Sequence, residues 1–217
     1  MIEDLTIGEQ VVLLTLDEES GTLREAPLRV SLAVSVAALL ELTFAGHVVV
    51  RDGAFVPART PAPAPKEPAA AAVAQRMRSH PEETPREWLL AVREQSLAAA
   101  YDGLSAKRLV REQGRRVLGA FGSVRHPVAE IAVLAALRER LAAVLTRGQD
   151  PDQRTAALIT VLHHAGLESV LPVGADATAA ERRFTAIAEG QGPAAALGET
   201  VRGAVAALVA VIAASAL

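Results

Sequence analysis

Apolar residues recur at helical spacing along most of the chain. In residues 6–16, Ile7, Val11 and Leu14 lie three and four apart with Leu13 beside them, which predicts a helix ending in the turn-forming stretch DEESG. In residues 28–45, Leu32, Val36, Leu39, Leu40 and Phe44 share one side, and Gly46 supplies the stop. HVVVRDGAFV then sets Asp52-Gly53 between two short β-branched or aromatic runs, a hairpin signal because that dipeptide accepts the backbone of a tight turn. Residues 57–68 hold five of the 12 prolines and no apolar period, so they read as an exposed, extended loop.

Residues 69–78 read as helix. Thr84-Pro85-Arg86-Glu87 combines a capping threonine, proline at the first helical position and glutamate three residues after the cap, and so opens a helix carrying Trp88, Leu89, Val92 and Leu97. Residues 104–113 are predicted as a further helix closed by Gly114, and RRVLGAFGSVRHPV as a second hairpin turning near Gly119 and Gly122. Helices follow over 128–146, over 151–165 with Asp150 as cap, over 177–188, and from 193 to the end. There is no strand–helix alternation and no repeat period, which excludes a Rossmann-type sheet and a solenoid. The pattern predicts a mainly α fold: a single helical-bundle domain over residues 1–217, with peripheral helices and one or two short β-hairpins.

Composition narrows the classes. The chain has 217 residues, 51% of them hydrophobic, enough to bury a core. It has no cysteine, which removes disulfide scaffolds and thiolate metal sites. The net charge of -3 gives no global drive toward nucleic acid. Alanine fills about a fifth of the chain and favours helix, while the excess of arginine over lysine suggests a GC-rich bacterial genome. The N-terminus lacks the basic start and apolar run of a signal peptide. The uncharged run 203–217 is shorter than the roughly 20 residues of a spanning helix and reads as a buried terminal helix.

Catalytic constellations are absent from the pattern: there is no Walker loop, GxSxG elbow, HExxH or dinucleotide fingerprint. His163 and His164 are adjacent, point about 100° apart on a helix and so do not converge on one metal. Packing is their expected role, with Glu168 nearby. Glu18-Glu19 and Glu82-Glu83 fall in turns and cap regions, where solvated charge is the default. The feature with chemical content is basic. Lys107, Arg108, Arg111, Arg115 and Arg116 place five cations in ten residues, and on the predicted helix 107, 111 and 115 align as a stripe. Arginine forks bind phosphate, and an apolar hairpin tip beside them suits shallow membrane insertion.

The opening LTIGEQVVLLTLDEESG, through Leu5, Thr6, Glu9, Leu13, Leu14, Leu16 and Gly21, resembles the start of the Golgi phosphoprotein 3 family, which includes the yeast vacuolar protein sorting homologue and many actinobacterial members. LLELTFAGHVVV is similar to the family's second block through Leu40, Glu41, Leu42 and Gly46. Trp88 stands where the family has a tryptophan, and QRTAALITVLHHAG resembles a later family helix through Arg154, Ala157, Leu158, Ile159 and His163. The resemblance implies one mostly α-helical domain with a projecting hairpin, here residues 116–127. It also implies a non-enzymatic peripheral membrane protein that reads phosphatidylinositol 4-phosphate and acts as an adaptor. The family hairpin contributes to self-association and membrane contact, which points to Leu118, Phe121 and Val124.

The family's lipid pocket uses a tryptophan after the first helix, an arginine opening the second and two arginines three apart in a later helix. Here the loop 21–27 has no tryptophan, Ser35 stands at the second-helix arginine, and the later pair falls at 99–102, where no arginine occurs. The expected substitutes are Arg24, Arg29, Lys107, Arg108, Arg111 and Arg115, forming an anion-binding face for phospholipid headgroups. The expected setting is cytoplasmic and peripheral to the membrane, with protein clients and self-association through the hairpin, and with no cofactor, metal or nucleic acid. The alternative is a helical oligomerising adaptor that has lost lipid binding. A third reading, an enzyme around His163, His164 and Glu168, has the least support.

Overall fold

The computed structural model describes residues 2–51, 54–58, 63–114, 124–171 and 177–190. The first helix, α1 (Ile7–Thr15), opens on a reciprocal cap. The Thr6 hydroxyl accepts from the Glu9 amide at 3.1 Å while the Glu9 carboxylate accepts from the Thr6 amide at 2.8 Å. All nine residues of α1 are buried, so it is the central helix around which the others pack rather than a surface helix with one wet face.

Its polar side chains are therefore all partnered. The second Glu9 carboxylate oxygen takes the Lys107 ammonium, Thr15 returns its hydroxyl to the Val11 and Val12 carbonyls, and Gln10 donates to Leu5 and accepts from Arg140.

The second helix, α2 (Pro27–Phe44), packs against α1, α3 (Pro68–Ser79), α4 (Pro85–Ala106) and α6 (Gln153–His164). It is long and apolar enough to cross a membrane by length and composition, but two-thirds of it is buried against these neighbours, as befits a core helix. Its Glu41 projects onto the start of α1. There it accepts the Ile7 amide at 2.9 Å and a two-point contact from Arg154 in the first turn of α6. Arg154 also reaches the Leu5 carbonyl at 3.4 Å. The carboxylate thus meets the positive end of α1 and a cation together.

The hairpin expected at residues 47–56 is present as β1 (Val48–Arg51) and β2 (Ala54–Pro57), antiparallel with Val49 opposite Val56 and Val50 opposite Phe55. The capping signal at Thr84 opens α4 as expected, and the Trp88 indole donates to the His80 carbonyl at 2.9 Å. Beyond α4 come α5 (Ile131–Leu145), α6, a single 3-10 turn at Glu168–Val170 and α7 (Ala177–Ala188). The fold of the described residues is mainly α with one two-stranded sheet.

Three expectations need correction. The helix expected over 104–113 does not exist: α4 continues to Ala106 and residues 109–113 are extended. α5 begins at Ile131 rather than 128, because Val128 is paired in a strand-like bridge. The cap of α6 is Asp152, which accepts the Thr155 amide at 2.7 Å, whereas Asp150 is exposed and lies 3.7 Å from Arg183. The expected C-terminal helix from 193, part of the proline-rich loop and the tip of the second hairpin lie outside the described residues.

Gly103 permits a close approach of α4 to α1, because a Cβ there would overlap the Glu9 carboxylate. Gly103→Ala is expected to lower stability by about 1–3 kcal/mol through overpacking. Glu41→Ala is expected to cost about 3 kcal/mol, since it leaves Arg154 and the Ile7 amide without their shared acceptor. Urea unfolding checks both: a lower midpoint at unchanged slope is the expected result.

Candidate functional site

The basic run opens where α4 ends, and the ending is unusual. The amide of Leu109 returns to the Leu104 carbonyl and that of Arg108 to Ser105, both at 2.9 Å, which puts Arg108 at φ 60°. This is the Schellman closure, whose left-handed position is normally glycine. The same pair of bonds ends α2 at Gly46 and α6 at Gly166. Arginine at this position carries a backbone strain of about 1 kcal/mol, and residues held in such conformations concentrate at functional sites.

From there the chain runs extended. Leu109 and Val110 are buried, which pulls the segment into the core instead of around another helical turn. Val110 pairs with Val128 and Gln113 with Arg125 in an antiparallel ladder. The Arg111 amide donates to Pro127 at 3.0 Å, and Gln113 and Arg125 exchange two bonds of 2.8 Å. These residues form the base of the expected second hairpin. Side chains alternate across such a ladder, so Arg111, Gln113 and Arg125 share a face and Glu112 lies on the other with His126. The stripe expected from helical spacing is replaced by this face.

The other edge of the 125–128 strand receives the loop after α1. His126 donates its amide to Gly21 at 2.9 Å and Val128 to Glu18 at 3.0 Å. Gly21 has φ 65° and sits so close to the 126–127 backbone that no side chain fits there. Glu18 is fixed in turn by Arg138 of α5.

The sequence-expected residues therefore differ in their surroundings. Lys107 is tied to the buried carboxylate of Glu9. Arg29 donates to Glu25 at 3.2 Å and to the Gly166 carbonyl at 2.9 Å, where it serves the C-terminal end of α6. Arg24 faces Asp17 at 3.5 Å with nearly half its side chain exposed. Arg108 and Arg111 are exposed and have no ion pair among the described residues, and the same holds for Arg125, whose part sequence reasoning left unassigned. Val124 is half-buried, while Arg115, Leu118 and Phe121 lie outside the described residues.

Comparison with known proteins agrees with the motif residues placed above: the family profile of Golgi phosphoprotein 3 (GPP34) matches residues 7–208. The chain belongs to this family. No curated protein matches it. Among the residues that carry the family resemblance, Glu9, Glu41 and Arg154 join α1 to α2, α6 and the end of α4.

The histidines pack. His163 stands edge-on to Phe184 of α7, with ring centroids 5.1 Å apart, and its Nδ1 lies 3.6 Å from Glu168. His164 is held below its ordinary range, first by burial and then by the neighbouring His163. Among the described residues no group of three acidic or histidine side chains converges to hold a metal.

At the ladder, His126 stacks on Tyr101 with ring centroids 4.1 Å apart. Burial pushes the Tyr101 hydroxyl up to about 12 and holds His126 below 6.5, with Glu112 and Asp102 opposing the shift at His126.

Both His126 and His164 resist protonation when folded, whereas in the unfolded chain they accept a proton at the ordinary value of 6.5. The unfolded state then binds more protons, so stability is full above that value and falls as pH drops through and below it. Urea midpoints measured between about pH 7 and pH 5 are expected to decline, and the double variant His126→Asn, His164→Asn is expected to flatten that decline.

Proposed function

We propose that this Golgi phosphoprotein 3 family member is a non-enzymatic peripheral membrane protein. It binds anionic phospholipid headgroups at the base of its second hairpin, at a cytoplasmic membrane surface. The observation that carries the reading is Arg108, kept in a left-handed position where the same closure elsewhere in this chain uses glycine. A residue retained against local stability is explained by what its side chain does.

Arg111 and Arg125 extend the cationic face along the ladder, and their forks suit phosphate oxygens. Arg24 belongs to the loop bonded to the same strand. Its pair with Asp17 is an exposed one, worth under about 1 kcal/mol, and so exchanges readily for a phosphate. Arg29 and Lys107 support the surrounding fold through their partners in α6 and α1.

The test is co-sedimentation with phosphatidylcholine vesicles, either plain or doped with phosphatidylinositol 4-phosphate or phosphatidylglycerol. Binding is expected only to the anionic vesicles and should weaken with salt. Replacing Arg108, Arg111 and Arg125 by alanine is expected to weaken it about a hundredfold, at about 1 kcal/mol per cation. Arg108→Gly separates function from fold: it should raise unfolding stability by about 1 kcal/mol while lowering vesicle binding. Equal binding to neutral vesicles, or binding that survives the triple variant, would sink the proposal and favour the oligomerising adaptor.

A further inference from the structure

Among the described residues, the large apolar side chains left in solvent are Leu28, 58% exposed, and Ile131, 56% exposed. Ile131 opens α5, and the ladder sets its place. The Ala129 and Glu130 amides both donate to the Leu109 carbonyl, at 2.8 and 3.4 Å, so the helix starts beside Arg108. Ala132 is exposed next to it, while Val133 and Leu134 turn into the core. Nothing local favours isoleucine here, since a β-branched residue is a middling helix former and its exposure forfeits the gain of burial.

The surrounding charge is mixed. Arg108, Arg111 and Arg125 are exposed, against exposed Glu112 on the opposite face of the ladder and Glu130 adjoining Ile131.

We propose that the first turn of α5, through Ile131 with Ala132, is a membrane-contact element that enters the boundary between headgroups and acyl chains of an anionic bilayer. The inference rests on the lipid-binding reading above and adds an apolar component to it. A protein groove or partner face calls for a broad contiguous apolar patch. A single branched side chain close in the fold to exposed arginines that have no ion pair among the described residues matches a bilayer surface instead. There the cations stay at headgroup level and the aliphatic group goes slightly deeper. Charge complementarity therefore names the occupant.

Because the chain has no cysteine, single labels report position cleanly. Ile131→Cys and Gln149→Cys, each carrying an environment-sensitive NBD fluorophore, would be mixed with phosphatidylcholine vesicles containing phosphatidylglycerol, with co-sedimentation run in parallel. Gln149 is exposed just past the far end of α5, more than about 20 Å away at 1.5 Å per residue. The expected result is a blue shift and protection from iodide at position 131, with neither at 149.

If the protein sediments with the vesicles while the label at 131 stays as wet as that at 149, the insertion is wrong and the lipid reading stands. If it does not sediment, both fail. As a second measure, Ile131→Asn is expected to weaken vesicle binding about tenfold with an unchanged thermal midpoint, as loss of a few buried CH2 groups would. Unchanged vesicle affinity in that variant also overturns the insertion.

Discussion

Everything in this structure depends on how the buried first turn of α1 is satisfied. A helix end in the core carries unpaired amides, and burying them without partners would cost several kcal/mol. The chain meets this with side chains from other elements. Glu41 of α2 takes the Ile7 amide, Glu9 takes the Thr6 amide, and Arg154 of α6 neutralises Glu41. Lys107 at the end of α4 neutralises Glu9, and Arg140 of α5 reaches Gln10. One turn of helix thereby orients four others, and the apolar packing of α1 against α2, α4, α5 and α6 follows from that orientation.

The same constraint shapes the candidate site. Lys107 still follows the α4 spiral and reaches Glu9, and the stop just after it throws Arg108 into the left-handed conformation and sends Leu109 and Val110 into the core. The ladder with residues 125–129 then has to form, because buried backbone amides need partners. The loop after α1 closes the other edge of that ladder through Gly21. The exposed arginines thus stand on a frame whose geometry is inherited from the core, which places cations more accurately than a free loop would.

Local signals were legible wherever they acted locally. The capping signal at Thr84 opened its helix as read, because a cap is a bond within four residues, and the helix expected from about Thr6 opens there on a capping box of its own. The runs on either side of Asp52-Gly53 in the sequence pair as β1 and β2, and the span of α7 agrees with its pattern. The misreading of 104–113 has a definite cause: a helix stop was sought at glycine, and here arginine occupies the stop. Residue spacing could not show that a strained arginine would be tolerated, since what holds it is the burial of Leu109 and the pairing with 125–129. The cap of α6 was displaced from Asp150 to Asp152 because α6 begins at Gln153, which puts the Asp152 carboxylate directly before the helix and three residues from the Thr155 amide it accepts.

By itself the sequence determined the helical class, the positions of most helices and the family, since these rest on short-range periodicity, capping chemistry and residues such as Thr6, Glu9 and Glu41 that recur in order. Tertiary structure alone decided which cations are available. Lys107, Arg29 and Arg111 look alike as letters in a string. Yet the first is held by a buried glutamate 98 residues away, the second by a carbonyl 137 residues away, and the third stands in solvent on a strand face. Charge is a property of the residue, but whether that charge is free to meet a ligand depends on partners that only folding brings within reach.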